Sequence, residues 1–276
     1  MKSPGSLPWN RALITGASSG IGAAIARRLA LGGVDALVLV ARRAERLQEL
    51  GDELGELYGT DVEVLGADLV NPADRATVEA RLAAVDAPVD LLVNNAGLGT
   101  SGLFVTLPID AEENEVLLNV VAPLRLSHAA LRAMVKRGHG AVMNISSMAT
   151  YQPSPGMATY GATKAFVTLF SEALHEELRG TGVSVTAVLP GFTRTEFQEN
   201  IGDSEFNSAP GFVWMTADAV ADAAINATAQ GKALCVPGAG YKVAAGLITP
   251  LPRSARRWLM GRASGQATKL ARRLGD

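Results

Sequence analysis

Short runs that are apolar on both faces alternate along this chain with longer stretches whose apolar residues recur every three or four positions. The short runs are RALIT (11–15), ALVLVA (36–41), VEVLGA (62–67), DLLVNN (90–95), GAVMNIS (140–146), VSVTAVLP (183–190) and ALCVP (233–237). Seven strands with no polar face predict a parallel sheet covered by helices on each side. The longer stretches predict helices near 21–31, 43–57, 72–86, 110–136, 157–180 and 216–230. Pro72, behind Asn71, opens the third of these, and Thr216 is placed as the N-cap of the last. Strict strand–helix alternation implies a doubly wound α/β sheet, whose ligand site lies beyond the carboxyl ends of its strands. No linker or compositional break divides the chain before about residue 240, so we expect a single domain over 1–240 and an extension over 241–276.

Composition narrows the classes. With 276 residues, 48% hydrophobic and 19% charged, the chain can bury a large core. A net charge of −2 leaves no nucleic-acid footprint on the molecule as a whole. The charge is uneven, however: Tyr241 to Asp276 holds eight Lys or Arg against one Asp. Cys235 is the single cysteine, which excludes an internal disulfide and argues against a cysteine metal site. His128, His139 and His175 have no second ligand at metal spacing, so no metal is expected. The N-terminus has no apolar signal core, and no run reaches the roughly 18 apolar residues of a membrane span. The expected location is cytoplasmic.

The first strand runs into TGASSGIG, Thr15 to Gly22, and then into an apolar-striped helix. Glycines at 16, 20 and 22, with Ser18, Ser19 and Ile21 between them, suit a tight turn that lets backbone approach a pyrophosphate resting on the helix N-terminus. That context makes the sheet Rossmann-type. The second strand then bears on the cofactor. An acid about 20 residues beyond the glycines would accept from the ribose 2′-OH of NAD, but that place reads VARRAERL, with Ala41 followed by Arg42 and Arg43. A guanidinium binds a 2′-phosphate in a charge-assisted fork, so the expectation is NADP, with Arg42 first, Arg43 second, and Arg46 facing solvent.

YGATK, residues 160–164, places a tyrosine and a lysine one turn apart on a predicted helix. Together TGASSGIG, NNAG (94–97), Asn119, ISS ahead of YGATK, and PGFTRT (190–195) resemble the short-chain dehydrogenase/reductase family in order and spacing from about Arg11 to Pro237. The resemblance implies a tetrad. Tyr160 is the acid/base, Lys164 binds the nicotinamide ribose and lowers the tyrosine pKa, Ser147 orients the substrate oxygen, and Asn119 holds a proton-relay water. Ser146 is adjacent, but the spacing favours Ser147. The resemblance also implies that Asp68 meets the adenine, and that Asn94, Ala96 and Gly97 pack along the adenosine half. Pro190, Gly191, Thr193 and Thr195 would surround the nicotinamide carboxamide. The alternatives are an acyl-carrier-linked 3-oxoacyl reductase and a non-catalytic NADPH-binding regulator.

Substrate choice is expected in 192–215 and 151–158. Phe192, Phe197, Phe206, Phe212, Trp214 and Met215, with Met148 and Met157, suit a bulky, hydrophobic carbonyl or alcohol, or else they pack a lid onto the body. The tail mixes Leu247, Ile248, Leu251, Trp258, Leu259 and Met260 with Arg253, Arg256, Arg257 and Arg262. It is compatible with peripheral contact on an anionic membrane, with a neighbouring subunit, or with solvent. A homo-oligomer, dimer or tetramer, is implied by the resemblance alone.

Overall fold

The computed structural model describes residues 7–201 and 210–264. The chain begins β1 (Arg11–Thr15), α1 (Gly20–Leu31), β2 (Ala36–Ala41), α2 (Ala44–Tyr58), β3 (Asp61–Gly66) and α3 (Pro72–Ala83). It continues through β4 (Leu91–Asn94), α4 (Ile109–Val116), α5 (Ala122–Arg137), β5 (Gly140–Ile145), α6 (Ala158–Glu177) and β6 (Val183–Val188). The last described part holds α7 (Glu196–Ile201), α8 (Ala217–Ala229), β7 (Leu234–Cys235), α9 (Ala239–Ile248) and α10 (Arg253–Ser264).

The strands form one seven-stranded sheet in the order β3-β2-β1-β4-β5-β6-β7, every pairing parallel. Successive strand residues point to opposite faces, so each strand feeds two cores. Ile14, Leu37, Leu39, Leu91 and Val93 pack with Leu29 of α1, Leu47 and Leu54 of α2, and Ala224 of α8. Leu13, Val38, Val40, Leu92 and Val142 pack on the other face with Val78 of α3 and Leu126 and Met134 of α5. The order in which successive strands are laid down reverses between β1 and β4, which opens a crevice at their carboxyl ends.

The predicted caps are present. Asn71 accepts from the N–H of Ala73 at 2.8 Å, with Pro72 at the first position of α3. Thr216 accepts from Ala219 at the start of α8. One predicted helix differs. The stretch expected to run unbroken over 110–136 contains a wider turn at Leu117–Val121, where the N–H of Ala122 reaches the carbonyl of Leu117. Pro123 has no N–H to offer the carbonyl of Asn119, and the relaxed turn carries Asn119 inward at 2% exposure. Helices α7 and α9 were not predicted, because each is short and set in an apolar or glycine-rich context.

Beneath the crevice lies a buried polar ladder. The Asn94 side-chain amide donates to Asn144 Oδ1 at 2.8 Å and to Ser127 at 3.1 Å, and Asn144 donates to Ser171 at 2.9 Å. It ties β4 and β5 to α5 and α6. Replacing Asn144 with Ala leaves donors and acceptors on both sides unsatisfied. We expect it to lower unfolding free energy by about 1–3 kcal/mol, read as a lower urea midpoint at unchanged slope.

Candidate active site

At the carboxyl end of β1 the chain turns sharply. Gly16 has φ +65°, and a Cβ there would come within 2.8 Å of Asn95 Nδ2. A Cβ on Gly22 would lie 2.4 Å from the Gly16 carbonyl oxygen, so Gly22 lets α1 press onto the turn and does not itself face the crevice. The turn is pinned across the crevice. Thr15 Oγ1 accepts from the N–H groups of Asn95 and Ala96, both at 3.0 Å, and Asn95 Nδ2 donates to the carbonyls of Thr15 and Gly16. Thr15 and Asn95 escaped the sequence reading, because a strand-end threonine carries no signature of its own.

An elongated cavity of about 990 Å³ runs along the strand ends. Gly16, Ser18, Ser19, Gly20 and Ile21 line its middle, beside Ala96 and Gly97. The first turn of α1 has no acidic residue, and Ser19 makes no side-chain cap there. The helix N-terminus thus presents its N–H groups and positive dipole end to the cavity. These features fit a pyrophosphate. Asn94, grouped with Ala96 and Gly97 in the sequence reading, is turned away: its side chain belongs to the polar ladder below.

Arg42, Arg43 and Asp68 stand together at one end of the cavity. Arg43, ranked second on sequence, makes more contacts with the glycine turn than its rank implied. Its Nη2 donates to Ser18 and Ser19, each at 3.1 Å, and to Glu196 of α7 at 2.9 Å. Arg46 is exposed as expected, and it also lines the cavity and meets Glu196 at 2.6 Å. The two guanidiniums hold the Glu196 carboxyl below the usual carboxylate range, Arg46 contributing most. Asp68 is fixed by accepting from the N–H of Val70, while its own N–H is bound by Asp74. Three cations against the two carboxylates of Glu196 and Asp68 leave this end net positive, which fits a phosphate.

Tyr160, Lys164 and Ser147 meet at the other end. Tyr160 and Lys164 share a face of α6, with the ammonium 5.7 Å from the phenol ring centre. Lys164 is 5% exposed, and its Nζ donates to the carbonyl of Ile145 at 3.0 Å. Ser147 accepts from the N–H of Ala149, and its hydroxyl stands close enough to Tyr160 to lower the phenol. Ser146 points away, bonded to the Lys164 carbonyl and to Thr168, as the spacing implied. Burial pushes the Tyr160 phenol up to about 12, opposed by the neighbouring Ser147 hydroxyl and helped by the Glu115 charge. Burial also pulls Lys164 down to about 8, against Glu115. The expectation that the lysine acidifies the tyrosine toward neutrality is therefore not met by the protein alone: desolvation raises the phenol, and Ser147 only partly opposes it.

The loop after β4 is clamped by one helical face. Asn119 accepts from the N–H of Leu98 at 3.0 Å and donates to its carbonyl at 2.8 Å. One turn earlier, Glu115 accepts from the N–H and hydroxyl of Thr100 at 2.9 and 2.8 Å. Asn119 also donates to Thr163 of α6, so it does not line the main cavity but sits behind it. A void of about 10 Å³, sized for one water, borders Asn94, Asn119 and Lys164. The Glu115 side chain is wholly buried, and burial raises its carboxyl. Nothing in the sequence singled it out among the acids of α4.

Pro190, Gly191, Thr193 and Thr195 border the same end. Thr195 packs on the glycine turn, 3.1 Å from where a Gly20 Cβ would stand. Tyr241 of α9 lies flush on Gly191 and spans two segments, accepting from Phe192 N–H and donating to the Val213 carbonyl. The lid aromatics divide between the two roles left open. Phe197 lies over Tyr160 with ring centres 5.6 Å apart and lines the cavity. Phe192 lines it too, but packs on Trp214 at 5.4 Å, while Met215 pairs with Thr193 at the lid base. Met148, Met157, Ala244, Ile248 and Met260 complete an apolar wall. Phe206 lies outside the described residues.

Known proteins bear out the family. Residues 10–205 match the short chain dehydrogenase family. The NADP-dependent 3-hydroxy acid dehydrogenase YdfG of Escherichia coli K12 is 38% identical over 205 residues, covering 70% of this chain and 79% of its own. A short-chain dehydrogenase from Sphingobium yanoikuyae, solved in complex with NADPH, superposes with a TM-score of 0.78 at 40% identity, over 88% of this chain and 96% of that one. A bulky-bulky ketone specific alcohol dehydrogenase from Comamonas testosteroni does so with a TM-score of 0.74 at 36% identity, over 88% and 95%. A match spanning most of the chain, at this identity and with the fold shared, makes this protein a member of the short chain dehydrogenase family.

Proposed function

We propose that the protein is an NADP(H)-dependent oxidoreductase that moves a hydride between nicotinamide and the carbonyl or secondary alcohol of a hydrophobic substrate, with Tyr160 as acid/base. The observation that carries this reading is the phenol of Tyr160, beside the Ser147 hydroxyl and one turn from a buried ammonium, at the apolar end of a cavity whose other end is cationic. The NADPH and bulky-ketone relatives agree with it.

The bound cofactor supplies the hydride and takes it back in the reverse direction. The protein supplies the rest. Arg42 and Arg43 meet the 2′-phosphate, the glycine turn and the α1 N-terminus hold the pyrophosphate, and Lys164 meets the ribose. Ser147 donates to the substrate oxygen, strengthening as negative charge builds there. Tyr160 then gives that oxygen its proton. A phenol held near 12 is protonated at neutral pH, the form that can donate to the substrate oxygen. The void beside Asn119 and Lys164 is sized for one water, which would return a proton to Tyr160 by way of the Lys164 ammonium. Phe197, Met148, Met157 and Met260 surround a bulky apolar substituent. Exposed Leu124 on α5 and Phe166 and Leu169 on α6 suit burial against a second copy in a homo-oligomer.

Three outcomes test the reading. Tyr160→Phe should lower kcat/KM for ketone reduction by about 10²–10⁴-fold while NADPH binding, followed by fluorescence, stays intact; turnover near wild type would remove Tyr160 from the mechanism. Arg43→Leu should raise KM for NADPH by about tenfold or more and leave that for NADH unchanged. Lys164 is cationic below about 8 and loses its charge above it, so reduction should decline as pH rises through that value. Glu115 raises Lys164, so Glu115→Gln should shift that decline to lower pH, whereas a purely structural effect would lower the rate at every pH alike.

A further inference from the structure

We propose that the outer surface of α9 and α10, with the turn at Gly211–Val213, docks on an anionic lipid bilayer. The inner sides of these helices are already committed. Ala244, Ile248 and Met260 face the cavity, Arg256 Nη1 donates to the Tyr151 carbonyl at 2.6 Å, and Tyr241 ties α9 to the turn through Val213. A helix docked on a protein body ordinarily turns a polar face to water. Here the outward positions are apolar as well: Phe212 is 89% exposed, Leu247 68%, Val243 64%, Trp258 63% and Leu259 51%.

Charge says what covers them. From Ala223 to Gly275 the chain has nine Lys or Arg and no Asp or Glu, whereas residues 1–222 have 16 basic and 26 acidic residues. Lys242, Arg253, Arg257 and Arg262 are exposed among the apolar residues, and the Arg262 guanidinium lies 5.1 Å from the Trp258 ring centre. A tryptophan with neighbouring cations, above apolar side chains, matches the headgroup region of a bilayer bearing anionic lipid. A nucleic acid or an acidic protein would use the cations but leave the apolar residues without purpose. The same helices wall the cavity on their other side, so docking would set the cavity rim at the surface of the phase in which a hydrophobic ketone dissolves. That advantage rests on the substrate class proposed above; the docking itself does not.

The test is vesicle cosedimentation of the full chain without substrate or cofactor, with phosphatidylcholine alone or mixed with phosphatidylserine. Binding to the mixed vesicles should be at least about tenfold tighter, weaken with salt, and shift tryptophan emission to the blue. Leu247→Glu with Trp258→Glu should abolish binding while preserving melting temperature and turnover of a short water-soluble ketone. Arg253→Gln with Arg257→Gln should lose the preference for phosphatidylserine. Tyr160→Phe should bind as wild type, which separates docking from catalysis. No binding to mixed vesicles overturns the proposal, as does undiminished binding by the glutamate pair. So does a drop in oligomer size in that variant by light scattering, which would assign the surface to a second copy.

Discussion

An ammonium inside a protein must find hydrogen-bond partners or lose its proton, and the Lys164 side chain, almost wholly enclosed, is the point on which this site turns. Its bond to the Ile145 carbonyl joins the first turns of α6 to the last residue of β5. Because Tyr160 sits one turn earlier on the same helix, that bond also fixes where the phenol stands relative to the strand ends. The polar ladder of Asn94, Asn144, Ser127 and Ser171 holds the same helix to the sheet from below. A dry interior makes both sets of bonds costly to break, so the catalytic face of α6 has little freedom.

Burial also sets the chemistry. The two pKa values move apart, phenol up and ammonium down, and Glu115 opposes the second while reinforcing the first. A buried carboxylate in α4 therefore keeps a cation at the centre of the site. Through Thr100 it also shapes the loop that carries Gly97 past Lys164. Asn119 does the neighbouring half of that work at Leu98, carried there by the widened turn at Leu117–Val121 that Pro123 forces.

Around this rigid centre the walls come from distant parts of the chain. Glu196 at the start of α7 bridges the arginines of the cofactor end, and Phe197, the next residue, covers Tyr160. One short helix thus touches both ends of the cavity. The segment after β7, which a minimal sheet does not need, closes the remaining side through Tyr241, Ile248 and Met260. Substrate shape and access are accordingly functions of elements whose positions depend on tertiary contacts.

Order, spacing and periodicity along the chain were enough for the seven strands, their parallel sense, the caps at Asn71 and Thr216, and the shared helical face of Tyr160 and Lys164. Each depends on neighbours within a turn or two, or on a repeat that local geometry enforces. The inward turn of Asn94, the retreat of Asn119 behind the cavity, the reach of Arg43 and Arg46 to Glu196, and the roles of Thr15, Asn95, Glu115 and Tyr241 were settled by folding. Those side chains meet partners 15 to 153 residues away, and which partner wins depends on burial, which no local pattern encodes. Protonation follows the same division: residue type supplies an ordinary pKa, while the enclosure that moves it exists only once the chain has closed around it.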